Sequence, residues 1–232
     1  MATVFRASNE EEEKLAQERG LVKISRAEAL AEAQEICSMW TPASEVFWLN
    51  HGTTVPMAIG AVPGALLTGL IRKWNNIPHK VGGRLLSVMP AAMLAAAGCG
   101  WMYEMARDDI LLNQTRCPVC LELRLTAQLL FFGVVTPTAI SISGSHSYLA
   151  TLSYRLPDPL TKKYFSWIGT MLRKGKGLLG ACAAAHVISA AFLLHQTREE
   201  WTNVNRKLYH ELNEQSPVTE AAKRGELKSI LR

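Results

Sequence analysis

The amino-acid sequence predicts an all-α, polytopic membrane protein in which four transmembrane helices form a bundle packed through small residues, with helical soluble tails. Three observations lead to this prediction. Four long runs lack Asp, Glu, Lys and Arg, small residues recur four apart within those runs, and the charged residues are concentrated outside them. The chain has 232 residues, 48% hydrophobic and 19% charged, so its average composition would also suit a soluble protein. The segregation of charge favours the membrane.

Each charge-free run is long enough to cross a bilayer. About 20 helical residues, rising about 1.5 Å each, span a hydrocarbon core about 30 Å thick. A soluble helix of that length would carry a charged face, because one side would meet water; the alternative is a buried soluble core rich in alanine and glycine. The runs are His51–Ile71, Leu85–Tyr103, Leu125–Tyr154 and Gly177–Thr197, which predict spans at about 52–71, 85–103, 125–143 and 177–196. We therefore predict an acidic, partly amphipathic helical tail over 1–47, a transmembrane domain over 48–197 and a charged tail over 198–232.

Small residues at helical spacing predict how the spans associate. Side chains of this size, four residues apart, form a flat stripe that lets two helix backbones approach closely, and this is how helices pack where lipid removes the hydrophobic incentive. The predicted helix-packing or interaction residues are Gly60, Gly64 and Gly69 in the first span and Gly177, Ala181 and Ala185 in the fourth.

The N-terminal tail has no recognisable cleavable signal. Four consecutive glutamates, Glu10 to Glu13, are the reverse of an arginine-rich transit peptide, and no apolar segment follows Met1. Ser25 followed by Glu28 has the spacing of a capping box and predicts a helix over about 26–39, and a further helix is expected from about residue 9. Within the first span, Pro56 and Pro63 are expected to bend the helix.

The charges of the loops predict the topology. The segment after the first span has four basic and no acidic residues, and the segment over 144–176 has six basic and one acidic residue. The middle turn over 104–124 has three basic and four acidic residues. Because basic short loops stay on the cytosolic or matrix side, the middle turn and both tails should face the opposite side.

The middle turn carries the two cysteines of greatest interest, Cys117 and Cys120. Two cysteines at this spacing can form a disulfide, a reactive thiol pair or half of a metal site. The remaining cysteines, Cys37, Cys99 and Cys182, supply no second pair, and no further ligands arrive with the paired spacing of a zinc site. Our first interpretation is a structural disulfide between Cys117 and Cys120 or two simple thiols, ahead of redox catalysis and metal binding. We predict no catalytic, cofactor-binding or metal-ligating residue.

Two histidines fall at membrane depth. His186 lies near the middle of the fourth span and His146 toward the basic end of the third, so each is a candidate for a proton or ion path or, more simply, a neutral side chain bonded across the bundle. The sequence contains no nucleotide-binding or hydrolase motif. The basic loops are explained by topology and anionic lipid rather than by nucleic acid.

With these residues in view, the chain resembles the transmembrane protein 126 family of mitochondrial inner-membrane proteins over roughly residues 48–207. The basic end of the first span is followed by the cysteine pair with Arg124 opening the third span, by Pro137 breaking that span, and by Trp167 and Thr170 before the fourth. The segments that carry the resemblance are Ile71-Arg72-Lys73-Trp74-Asn75, Cys117-x-x-Cys120-x-x-x-Arg124, Pro137, Leu156-Pro157 and Trp167-Ile168-x-Thr170.

The resemblance implies a non-catalytic protein that assists assembly of the membrane arm of respiratory complex I (NADH:ubiquinone oxidoreductase). The implied partners are nascent membrane subunits of complex I, other assembly factors and the lipid bilayer, with no nucleic acid, cofactor or small-molecule substrate. The Cys117/Cys120 turn and both tails would lie in the intermembrane space and the basic loops in the matrix. The alternatives are a membrane thiol–disulfide oxidoreductase using Cys117 and Cys120, an accessory subunit of a respiratory complex, or a proton path through His186.

Overall fold

The computed structural model describes residues 25–74, 81–113, 117–151, 157–159 and 161–214, and within them it contains helices and no strand, which confirms the all-α prediction. Seven α-helices are described, with a 3₁₀ turn before the second and a turn of π-helix after the fifth. In chain order the elements are α1 (Arg26–Met39), the 3₁₀ turn (Ala43–Val46), α2 (Phe47–His51), α3 (Thr54–Trp74), α4 (Val81–Leu111), α5 (Pro118–Leu130), the π turn (Phe131–Val135), α6 (Thr136–Thr151) and α7 (Lys162–Glu214).

Three stretches of the described chain are long and apolar enough to cross a membrane, namely Thr54–Trp74, Pro118–Ala150 and Lys162–Glu211. The last two contain the third and fourth predicted spans, and the first covers all but the start of the first predicted span. The predicted second span lies within α4, which is not among these three stretches. The described residues therefore support a multi-pass membrane protein with three candidate crossings, one fewer than the sequence predicts.

Helix α1 begins where the capping-box spacing predicts. The Glu28 backbone N–H donates to Ser25 Oγ at 3.2 Å, and the Ser25 N–H donates to Glu28 Oε2 at 2.8 Å, so two amides without intrahelical partners are satisfied. The predicted helix from about residue 9 and the glutamate run lie outside the described residues.

Pro56 and Pro137 act differently from what the sequence predicts. Pro63 lies inside α3, but Pro56 lies in its first turn, where the backbone amide has no intrahelical partner to lose. Pro137 does not break the third span, because the chain passes from α5 through the π turn into α6 without leaving a helical path. A proline cannot donate to the carbonyl four residues earlier, and its ring crowds that group. The wider π turn, which includes Gly133, precedes Pro137 and accommodates this loss.

Helices α3 and α4 pack closely through glycine. A Cβ atom added at Gly60 would lie 2.8 Å from the backbone oxygen of Ala95, and one at Gly64 would lie 3.2 Å from the backbone oxygen of Ala91. At Gly69 such an atom would meet nothing within 4 Å among the described residues. The first two glycines of the stripe therefore set the distance between the helices, whereas Gly69 does not.

Replacing Gly60 by alanine is expected to lower the free energy of unfolding by about 1–3 kcal/mol, because the new methyl group meets a backbone oxygen that moves only with α4. Gly69→Ala is the matched control and is expected to be neutral or stabilising by up to about 1 kcal/mol, through helix propensity. Thermal unfolding of the detergent-solubilised protein measures both. Equal effects of the two substitutions would contradict this packing.

The N-terminal segment, the described parts of the middle turn and the end of α7 meet at one end of the bundle, which we call the polar end (residues 26–53, 103–113, 117–124 and 197–211). Arg26 lies 3.2 Å from Asp109, which also pairs with Arg124. Lys207 on α7 lies 2.6 Å from Glu45. The sequence predicts that these regions share one side of the membrane, and the structure brings them to one end of the bundle.

Candidate functional site

The cysteine pair lies at the polar end and opens helix α5. Cys117 is the N-cap residue, Pro118 occupies the first turn, and the Cys120 backbone N–H donates to Cys117 Sγ at 3.2 Å. Both thiols are exposed and free. The predicted disulfide is therefore not formed in this structure. No group of three potential metal ligands occurs among the described residues.

The surroundings of Cys117 favour its thiolate. Hydrogen bonds from the Cys120 side chain, and then from the Cys120 backbone N–H, lower the pKa of Cys117 below its ordinary value of 9.0. The positive end of the α5 dipole lies at the same place. By contrast, burial raises the pKa of Cys37 to about 11, so that thiol is unreactive at neutral pH. Cys117 is thus the more nucleophilic of these two cysteines.

A polar groove opens beside the cysteine pair, between the start of α5 and the C-terminal half of α7. We call it the α5–α7 groove; its volume is about 490 Å³. Pro118, which directly follows Cys117, forms part of its wall together with Glu122. The opposite wall belongs to α7 and carries charges of both signs and neutral hydrogen-bonding groups, from His195, Arg198, Glu199, Thr202, Asn203 and Arg206.

A buried hydrogen-bonded cluster joins the N-terminal segment to α7. The Glu200 carboxylate accepts hydrogen bonds from the backbone N–H groups of Trp48, at 3.1 Å, and Leu49, at 2.9 Å, at the start of α2. The Tyr103 hydroxyl lies 3.2 Å from the Trp48 carbonyl oxygen and 2.7 Å from Thr197 Oγ1. Tyr103, the last residue of the charge-free run that begins at Leu85, is completely buried.

Sequence reasoning did not find this cluster. Its members come from three distant segments, and nothing in their local spacing relates them. The one available signal is Glu200 itself, a carboxylate directly before Trp201 and four residues before Val204, both of which are buried.

The two histidines occupy different surroundings. His186 is fully buried, and a Cβ atom added at Gly133 in the π turn would lie 2.1 Å from its Nε2 atom. Neither ring nitrogen has a hydrogen-bond partner of good geometry within the described chain. His146 Nε2 lies 3.2 Å from the Pro157 carbonyl oxygen, and its ring packs edge-on against Tyr164.

The residues of the family resemblance lie apart from one another. Arg124 pairs with Asp109 at the polar end, and Pro137 follows the π turn. Trp167 belongs to the aromatic group around His146. Thr170 donates to the Ser166 carbonyl oxygen within its own helix. They do not form one site.

A second cavity opens on the apolar side of the bundle, between α6 and the N-terminal half of α7. We call it the lateral cleft; its volume is about 640 Å³. Its walls are almost entirely apolar, and their residues include Val135, Ala139, Ile142, Ile168, Leu172 and Gly180.

The small residues of the fourth span do not pack inside the described structure. Gly177, Ala181 and Ala185 are exposed along one side of α7, which we call the small-residue face. A Cβ atom added at Gly177 or Gly180 would meet nothing within 4 Å among the described residues. Gly180, which directly precedes Ala181, lines the lateral cleft, so the small-residue face and the cleft adjoin.

Comparison with models of protein families, with curated proteins and with solved structures finds no match to the chain.

Proposed function

We propose that the protein is a four-span protein of the mitochondrial inner membrane that assists assembly of the membrane arm of respiratory complex I by binding other proteins. It binds nascent membrane subunits through its transmembrane helices and other assembly factors through its tails. In this proposal α4 supplies the fourth crossing. The polar end faces the intermembrane space and the basic loops face the matrix, because basic short loops stay on the matrix side.

The observation that carries the proposal is the small-residue face of α7 beside the lateral cleft. Gly60 and Gly64 have the same spacing as Gly177 and Ala181, but the first pair is used against α4 and the second pair faces outward. Small side chains leave the backbone of α7 accessible along the stripe and so allow another helix to approach closely. An outward-facing stripe of this kind therefore favours packing against a helix of another protein. A nascent membrane subunit supplies such a helix.

The position of the stripe also limits what docks there. It adjoins an apolar cleft that side chains of a neighbouring helix would fill, and it lies on a stretch of α7 without charge between Gly177 and Thr197. The apolar side chains of the partner helix would fill the cleft, and its backbone would pack along the stripe. Lipid chains fill such a surface less closely. A transmembrane helix of a partner therefore fits this surface.

Ala181→Leu tests the proposal in mitochondria. The added bulk separates the docked helix from α7 and is expected to lower the recovery of complex I membrane subunits about fivefold or more, since overpacking costs about 1–3 kcal/mol. Ala97→Leu on α4 is the matched control, because Ala97 is also small and exposed. Quantitative mass spectrometry of proteins co-purified in detergent measures both.

Protein abundance must stay equal among the wild type and both variants for this comparison. Unchanged recovery with Ala181→Leu, or equal losses with both substitutions, would contradict docking at the small-residue face. Recovery of partners with no complex I subunit among them would contradict the assignment to complex I.

A further inference from the structure

We propose that Cys117 and Cys120 form a thiol–disulfide exchange site that acts on a disulfide-bonded, polar peptide segment of another protein. This activity goes beyond the assembly role and does not depend on it. Two independent features support it: the arrangement of the two thiols at the start of α5, and the polar groove that begins at Pro118.

The two thiols are arranged for different tasks. Cys117, as the N-cap, presents its sulfur outside the helix, whereas Cys120 lies one turn further along α5. The Cys120 N–H donates to Cys117 Sγ at 3.2 Å, which favours negative charge on that sulfur. Cys117 is therefore the attacking thiol, and Cys120 is close enough to attack it in turn.

The α5–α7 groove has Pro118, the residue directly after Cys117, in its wall, and the proposal places the peptide substrate there. An apolar cleft would suit lipid or a transmembrane helix, but this groove lies at the polar end and offers cations, anions and amide or hydroxyl groups. Arg198 and Glu199 present opposite charges, and Asn203 offers both a donor and an acceptor. An extended polar peptide has backbone donors and acceptors that match such walls.

The exchange proceeds in two steps. The Cys117 thiolate attacks one sulfur of the peptide disulfide, so that a bond forms between Cys117 Sγ and that sulfur while the peptide's S–S bond breaks. The second peptide sulfur leaves as a thiolate and takes a proton from water. Cys120, having released its proton to water, then attacks Cys117 Sγ and displaces the first peptide sulfur.

The products are a Cys117–Cys120 disulfide and a peptide with two thiols. Two electrons have passed to the peptide, and a soluble thiol of the glutathione class restores the pair by the same exchange while forming its own disulfide. Cys37, Cys99 and Cys182 are buried, so a soluble thiol rather than one of these three regenerates the pair.

Single substitutions in the full-length, detergent-solubilised protein test the order of attack. With a disulfide-bonded peptide as the probe, Cys120→Ser is expected to accumulate a mixed disulfide at Cys117. The wild type is expected to release reduced peptide and form the internal disulfide. Cys117→Ser should react at least about threefold more slowly than Cys120→Ser, because its remaining thiol has less thiolate. Intact-protein mass spectrometry under acid quench follows each species.

Two results would overturn the proposal. One is equal reaction rates for Cys117→Ser and Cys120→Ser, and the other is a mixed disulfide that persists in the wild type. Both substitutions retain the Cys120 backbone N–H, and thermal unfolding shows whether each variant is folded.

Substitution in the groove tests the substrate site separately. Asn203→Trp places an indole in the groove and is expected to slow exchange with the peptide about tenfold, equivalent to about 1.4 kcal/mol. Exchange with bis(2-hydroxyethyl) disulfide, which has no peptide groups to occupy the groove, should keep its rate. His210→Trp is the control, since His210 is also exposed on α7 but does not line the groove. Equal rates of peptide exchange in the two variants would overturn the groove as the substrate site.

Discussion

Replacing Glu200 by alanine is expected to lower the free energy of unfolding by about 2–5 kcal/mol. The carboxylate is the acceptor for the backbone N–H groups of Trp48 and Leu49, and Leu49 is buried. Without Glu200 these two donors at the start of α2 lose their partner, and a buried unsatisfied donor costs about 1–3 kcal/mol. Unfolding of the detergent-solubilised protein, followed by circular dichroism, measures the change.

Glu199→Ala is the matched control for this substitution. Its side chain is 60% exposed and lies 3.5 Å from His195 one turn earlier. Exposed pairs of this kind contribute little, so we expect a change of at most about 0.5 kcal/mol. A similar loss of stability in both variants would mean that the hydrogen bonds of Glu200 are not what holds α2 against α7.

Glu200→Gln separates the charge of this side chain from its shape. Burial, only partly offset by the two N–H donors, raises the pKa of Glu200 above its ordinary value of 4.5. The folded protein therefore holds this proton more tightly than the unfolded chain. The resulting stability is fully present below pH 4.5 and is lost as the pH rises through the raised pKa. The free energy of unfolding of the wild type, relative to that of Glu200→Gln, should thus fall as the pH rises from 4.5 through the raised pKa. A difference between the two proteins that does not change with pH would contradict this prediction.

The helical architecture could be predicted because its signals are local. Charge segregation identifies apolar runs without reference to other parts of the chain, and the Ser25–Glu28 box fixes the start of α1 within a single turn. The hydrogen bonds of Glu200 could not be predicted in this way. They join residues about 150 positions apart, and only the folded bundle brings them together.

The sequence also could not predict which small-residue stripe packs inside the bundle and which one faces outward. Gly60 and Gly177 both open a stripe with spacing of four, yet the first is buried against α4 and the second faces outward. The spacing predicts a flat helix surface, but the identity of its neighbour depends on how each helix is rotated in the bundle. That rotation is set by packing along the whole helix, which no local pattern reports.

Gly133→Ala is expected to destabilise the protein by about 1–3 kcal/mol or more, because the new methyl group would overlap His186. An ideal Cβ atom at Gly133 lies 2.1 Å from Nε2, and the fully buried imidazole has no solvent to move into. Gly144→Ala is the matched control, since a Cβ atom there meets nothing within 4 Å in the described structure. We expect that variant to be neutral or slightly more stable.

The identity of the clash is tested by combining Gly133→Ala with His186→Ala. Removing the imidazole creates the space that the new methyl group needs, so the double variant should be more stable than the sum of the single effects predicts, by about 0.5–3 kcal/mol. Strict additivity would show that the strain at Gly133 arises elsewhere, for instance from the π turn itself. A positive coupling would assign His186 a packing role against the π turn. The loss of stability caused by His186→Ala would then depend on the volume of the side chain at position 133 rather than on the charge of the imidazole.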